Sequence, residues 1–162
     1  AAFEFDPGPT IEPEGCIYIG MGAKEVSFAS AEAQNPAKYF ILSCPAHAVH
    51  PTVAATTKDA NTVPLGSQEQ ANKRVIRQFI HEKGIQSSQL VMGYTELAEG
   101  SVWNTFPPHT HNRRTEVYYY WSLGERVLAH FMGEPNATRH LFLHEGDAVL
   151  SPSWSLRNCL WD

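Results

Sequence analysis

Three features of the amino-acid sequence predict an all-β fold, a sandwich or a barrel. Short runs rich in β-branched and aromatic residues recur along the chain, each about five residues long, the ordinary length of a strand. Gly, Pro, Asn or Ser bounds each run, and these residue types supply turns. No window holds the sustained apolar periodicity of an amphipathic helix. Strands at this spacing, punctuated by turns, are the usual mark of sheet packed on sheet or of a closed barrel.

In chain order the first runs are Ile17-Tyr18-Ile19 and Val26-Ser27-Phe28, separated by Gly20-Met21-Gly22. Tyr39-Phe40-Ile41-Leu42 follows. From Cys44-Pro45 to about Lys73 the composition shifts to Ala, Thr, Pro and Asn, with few large apolar groups. Such a stretch buries little surface, so it reads as a linker or long surface crossing, with a short helix or turn near Ser67 to Lys73. The runs resume at Val75-Ile76-Arg77-Gln78-Phe79-Ile80 and Leu90-Val91-Met92-Gly93-Tyr94. They continue with Val117-Tyr118-Tyr119-Tyr120-Trp121, Val127-Leu128-Ala129-His130-Phe131-Met132, Leu141-Phe142-Leu143 and Ala148-Val149-Leu150. The expected organisation is a short β unit over 1–44, a crossing segment over 45–73 and a longer β unit over 74–162, with no solenoid-type repeat.

Composition narrows the function classes. With 162 residues, 43% hydrophobic and 18% charged, the chain can build a real core and has the balance of a globular protein. A net charge of -5 and a pI near 5.9 argue against a nucleic-acid groove, which needs a clustered basic face. No apolar stretch of about 18 residues is present, so no membrane span is expected. The opening residues, Ala1-Ala2-Phe3-Glu4-Phe5-Asp6, lack the cationic and apolar segments of a secretory leader. The three cysteines, Cys16, Cys44 and Cys159, are odd in number and widely spaced. A disulfide framework or zinc ribbon is not expected, and a cytoplasmic location is.

The chemistry concentrates after Pro107-Pro108, which should end one element. His109-Thr110-His111 follows, then the polar stretch Asn112-Arg113-Arg114-Thr115, then Glu116 opening a strand. Strand residues two apart share a face, so His109 and His111 can present both imidazoles together. A hairpin would return Glu116 to the same interior. Two imidazoles and a carboxylate suit Zn, Fe, Mn, Co or Ni with positions left open for water or substrate. The alternative is a pair of turn histidines and a surface glutamate. His130 and His144 lie within apolar runs and read as structural, and alternation places Tyr118 and Tyr120 on one side with Glu116.

These residues, with Gly124 downstream, resemble the first motif of the cupin superfamily. Gly146 and Pro152 match its second motif, but Trp154 stands where that motif has a Gly and Arg157 where it has its last His ligand. Longer segments resemble the 5-keto-4-deoxyuronate isomerase family of pectin breakdown. They include Gly22-Ala23-Lys24-Glu25-Val26, Thr95-Glu96-Leu97-Ala98-Glu99-Gly100, Trp103-Asn104-Thr105, Pro108-His109-Thr110-His111, Met132-Gly133-Glu134-Pro135, Thr138-Arg139-His140 and Ser151-Pro152-Ser153-Trp154-Ser155.

The resemblance implies a jelly-roll cupin barrel in a partial bicupin. Residues 1–44 would be the back half of a first barrel, with Glu25 where a metal-binding His would fall. Residues 74–162 would be a second, metal-binding barrel lacking its last strands. The chain would be an internal piece of a longer protein. It implies a divalent metal, zinc first, on His109, His111 and Glu116. It implies a homo-oligomer, a hexamer in the family, and a small sugar-acid substrate. The family reaction converts 4-deoxy-L-threo-5-hexosulose uronate into 3-deoxy-D-glycero-2,5-hexodiulosonate, an aldose–ketose isomerisation. The substrate carboxylate needs a cation, for which Arg113, Arg114 and Arg139 are candidates, and His140 is a candidate for the pocket wall. Arg157 offers no lone pair to a metal, so weak or absent activity is expected of this chain. A different metal-dependent cupin enzyme and a non-catalytic binding or structural cupin are the competing readings.

Overall fold

The computed structural model describes residues 15–30, 33–34, 36–111 and 113–161, with backbone alone at Phe106 and from position 157 onward. Among the described residues the chain is strand, turn and loop with no helix, as its sequence predicts. The strands are β1 (Cys16–Tyr18), β2 (Val53–Ala55), β3 (Asn61–Leu65), β4 (Arg74–Ile80), β5 (Met92–Leu97) and β6 (Trp103–His109). They continue with β7 (Glu116–Tyr119), β8 (Leu128–Glu134), β9 (Ala137–Leu143), β10 (Ala148–Ser151) and β11 (Leu156–Trp161). The chain forms two compact units, one drawn from Ala1–Val63 with Ile76–Thr95, the other from Pro64–Val75 with Glu96–Asp162. These ranges interleave along the sequence and differ from boundaries at 44 and 73.

In the first unit β1 pairs antiparallel with β2, Cys16 opposite Ala55 and Tyr18 opposite Val53. The pleat turns Cys16 and Tyr18 inward and Ile17 outward. Cys16, Tyr18 and Ala55 pack with Phe79 and Ile80 of β4, and Met92 and Tyr94 of β5 lean on that cluster. The segment expected to be a crossing therefore carries β2 and β3. Its Ala-rich composition hides this, because the partner strand β1 and the burial of Ala55 make up for weak intrinsic strand preference. The runs Val26-Ser27-Phe28 and Tyr39-Phe40-Ile41-Leu42 form no strand. Val26, Phe28, Tyr39, Phe40 and Ile41 are exposed, and the rings of Phe28 and Tyr39 meet edge to face. The stretch 68–71 is a turn, with Ala71 at positive φ.

The second unit holds two sheets. One runs in the order β6-β11-β8-β9 and the other pairs β7 with β10. Tyr120, Leu123, Leu128, Leu143 and Val149 form the core, with Tyr118, Met132 and Leu141 against it. β8 and β9 are joined at Pro135-Asn136 and stay in register from Glu134↔Ala137 to Leu128↔Leu143. Gly133 before this turn has φ +110, and a Cβ there would stand 2.7 Å from the carbonyl oxygen of Ala137. Its buried N–H donates to Ser155 Oγ at 2.8 Å. The turn at 122–124 is held from both sides. The Glu145 carboxylate accepts the N–H groups of Ser122, Leu123 and Gly124 at 3.1, 2.6 and 3.2 Å. Arg126 donates to the carbonyls of Leu123 and Ser122 at 2.9 and 2.8 Å.

Candidate functional site

His109 is the last residue of β6, and the path to it is irregular. Asn104 pairs with Cys159 of β11 and His109 pairs with Arg157, with the register shifting in between. Thr105 adopts φ 58 there. Pro107 and Pro108 have no N–H to give to the ladder, so the strand bulges around them and then rejoins β11 at His109. The prolines thus lie inside β6 rather than ending an element, which is tolerated because among the described residues β6 is at the edge of its sheet.

His111 lies in the connecting loop, and Glu116 is the first residue of β7. The expected hairpin is not formed. β6 pairs with β11 and β7 with β10, so the loop carries the chain from one sheet to the other. It still brings the three side chains together. The His109 and His111 rings lie 4.8 Å apart, edge to face. His111 Nε2 stands 3.0 Å from Glu116 Oε1. His109 Nδ1 is 2.9 Å from the carbonyl oxygen of Pro107, which fixes the ring.

Arg114 is part of this cluster. Its Nε donates to Glu116 Oε1 at 3.1 Å, and its Nη2 lies 2.8 Å from His111 Nε2. Tyr118 donates to Glu116 Oε2 at 2.5 Å. Across the ladder Ser151 faces Glu116. Cross-strand partners share a face, so its hydroxyl belongs to the same surface. Ser151 is fully buried, and its Oγ has no hydrogen-bond partner among the described residues. Behind them Tyr120 Oη lies 2.8 Å from Nδ1 of His130, which has 0% exposure.

The other candidates spread outward. Arg113 is exposed on the loop. Cα register aligns His109, Arg157, Met132 and Arg139 in one row across β6, β11, β8 and β9. Arg139 therefore stands at the far end of that row, about 14 Å from His109 at the usual strand spacing. His140 pairs with Phe131, one position off, so it occupies the opposite face and its ring packs edge to face on Phe131 at 4.7 Å. His144 is exposed, 3.8 Å from Asp147.

A divalent ion suits part of this arrangement. The 3.0 Å between His111 Nε2 and Glu116 Oε1 is an ion-pair contact, and two donors sharing one tetrahedral ion at bonds of about 2.1 Å would stand only slightly farther apart, at about 3.4 Å. An unpartnered buried hydroxyl beside them is a further polar group that a site occupant would satisfy. Among the described residues no three His, Cys, Asp or Glu side chains close into a full ligand set. Arg114 lies on the two donor atoms instead, and an ion would displace it. The donor types fit, therefore, with Arg114 as internal competitor. Sequence reasoning found His109, His111 and Glu116 from spacing. It could not find Ser151, because only the register of β10 on β7 places it there.

An all-β chain that gathers two imidazoles and a carboxylate beside a sheet edge has the donor set of a small-ligand or metal centre. The chain matches the KduI/IolB family over residues 10–159 and belongs to it. A protein of Opitutus terrae named 4-deoxy-L-threo-5-hexosulose-uronate ketol-isomerase is 50% identical over 141 residues, covering 87% of this chain and 51% of its own length. The protein of that name from Lachnoclostridium phytofermentans is 50% identical over 149 residues, covering 91% and 54%. That from Pectobacterium carotovorum is 48% identical over 144 residues, covering 88% and 52%. The chain spans about half the length of these relatives. No helix among the described residues is long and apolar enough to cross a membrane.

Proposed function

We propose that the chain is the metal-site half of an aldose–ketose isomerase that converts 4-deoxy-L-threo-5-hexosulose uronate into 3-deoxy-D-glycero-2,5-hexodiulosonate. The observation that carries this reading is the approach of His111 Nε2 and Glu116 Oε1 beside the His109 ring. It occurs in a chain whose relatives at about half identity bear the name of that isomerase. The isomerisation moves a proton from C2 to C1 and a hydrogen between the two oxygens. His109, His111 and Glu116 would hold a divalent ion, zinc first. Such an ion supplies Lewis acidity toward the two oxygens and eases loss of the C2 proton.

The chain's own residues do the rest. Arg113 and Arg114 stand on the loop at the site, where a guanidinium fork can take the substrate carboxylate. Arg139, in the row that begins at His109, is a more distant cation for the same purpose. His140 is the weaker candidate, since its register sets it on the other face. The free, exposed thiol of Cys44 suits a reducing compartment, which supports a cytoplasmic location. Homo-oligomer formation, with a hexamer first, belongs to the same reading.

Position 157 pairs with His109 in the ladder, where a fourth ligand would be well placed, and arginine cannot serve there. The expected rate of this chain is therefore low, and its metal dependence is the test. The chain is stripped with chelator, reloaded with zinc, and assayed by NMR on the sugar acid. Turnover that appears with zinc and disappears in His111→Ala and Glu116→Gln supports the reading. Turnover indifferent to chelator and to both substitutions overturns it. Arg157 also favours a second reading, a cupin that binds metal or sugar acid without turnover. Zinc uptake with no isomerisation at any loading would select that one.

A further inference from the structure

The two oxygens of Glu116 have different neighbours. Oε1 faces His111 at 3.0 Å, whereas Oε2 accepts a hydrogen bond from the Tyr118 hydroxyl. Glu116 and Tyr118 are two apart on β7, so the pleat sets both on one face. The phenol is held from behind. Its ring stacks on Tyr120 at 6.3 Å with an 11° interplanar angle and meets His130 edge to face at 5.3 Å. Tyr120 and His130 are themselves buried and hydrogen-bonded to each other. The hydroxyl is thus delivered by packed core rather than by a mobile surface side chain.

We propose that Tyr118 is a positioning residue for the site. Its hydroxyl bonds Oε2 and holds the carboxylate with Oε1 turned toward His111, so that Glu116 offers a divalent ion one oxygen instead of two. The proposal rests on the reading of His109, His111 and Glu116 as ligands. A carboxylate that turned both oxygens to an ion would take up two positions around it. One that gives a single oxygen leaves a further position for water or for the sugar acid, which a catalytic site requires. Hydrogen-bonded partners behind the ligands are the general means by which such sites are oriented.

Cobalt(II) is the probe, because its visible bands weaken as donors are added. The full chain, Tyr118→Phe and Tyr120→Phe are titrated with cobalt and then with zinc against a chromophoric chelator. Phenylalanine keeps the ring and its packing at each position, and circular dichroism checks that each variant is folded. Tyr118→Phe is expected to weaken the cobalt bands and to lower metal affinity about 10- to 100-fold. Tyr120→Phe cuts the bond to His130 without touching Glu116 and is expected to change neither. Unaltered bands and affinity in Tyr118→Phe would overturn the proposal, as would equal losses in both variants, which would make the phenol a packing group. If the unsubstituted chain takes up no cobalt, the ligand reading itself fails and the role of Tyr118 fails with it. That outcome is distinct, because it is seen before any variant is compared.

Discussion

Arg114 and a divalent ion compete for the same lone pairs. The guanidinium lies on Glu116 Oε1 and His111 Nε2, and Nε2, with a single lone pair, cannot serve both partners at once. Arg114→Gln should therefore raise zinc affinity, by about two- to five-fold, the worth of an exposed ion pair of ~0.5–1 kcal/mol. Competition against a chelator measures it, and an unchanged or weaker constant would mean the arginine does not contend for the site. A second single-residue effect lies at Ser155, fully buried, whose Oγ satisfies the buried N–H of Gly133. Ser155→Ala leaves that N–H without its partner and should cost about 1–3 kcal/mol in urea unfolding. The grouping of His109, His111 and Glu116 was legible from spacing, and that of Tyr118 with Glu116 from alternation. Their partners were not. Nothing in the order of residues says that Arg114 folds back onto Glu116, or that Ser151 lies opposite it.

The elements show the same division between pattern and pairing. Strands with a strong apolar pattern, such as β4, β7, β8 and β10, were visible in the sequence. β2 was not, because its alanines are ordered by β1. The runs at 26–28 and 39–42 carried the pattern but form no strand, since composition alone supplies no partner. β6 was misjudged at Pro107-Pro108, where an edge position allows a bulge in place of a stop. The turn at 122–124 is anchored by Glu145, which comes from a distant segment. Three N–H groups converge on that carboxylate, so Glu145→Ala should destabilise the second unit by about 2 kcal/mol. Glu145→Gln, which keeps one acceptor oxygen, should lose about half as much. A shift in urea midpoint without a change in slope would confirm both, and an Ala variant as stable as the parent would show the anchor to be idle.

For the whole chain, all-β class and family were legible, whereas the two units were not, because their ranges interleave and only contacts reveal them. Each unit carries its own expected response to solution conditions. Burial holds the Cys16 thiol up at about 11, so the folded chain keeps a proton that the unfolded chain, titrating near 9.0, has lost. The native state then binds more protons, and stability should fall as pH climbs from about 9 toward 11. Cys16→Ala should flatten that decline in alkaline unfolding curves, and an equally steep curve would assign the loss to other groups. In the second unit, zinc at a hundredfold excess over its Kd should add about 2.7 kcal/mol to stability, and His111→Ala should abolish the gain. Differential scanning calorimetry reads both, and a melting temperature indifferent to zinc would count against the ion. The bulge in β6 has a consequence beyond the placing of His109. The sheet β6-β11-β8-β9 has two outer strands of unequal character. Along 105–108 an approaching strand meets two imino residues and a broken ladder, while β9 is regular along its length and exposes Phe142. Among the described residues that sheet is therefore receptive along β9 and not along β6, so an approaching strand is expected to add at β9.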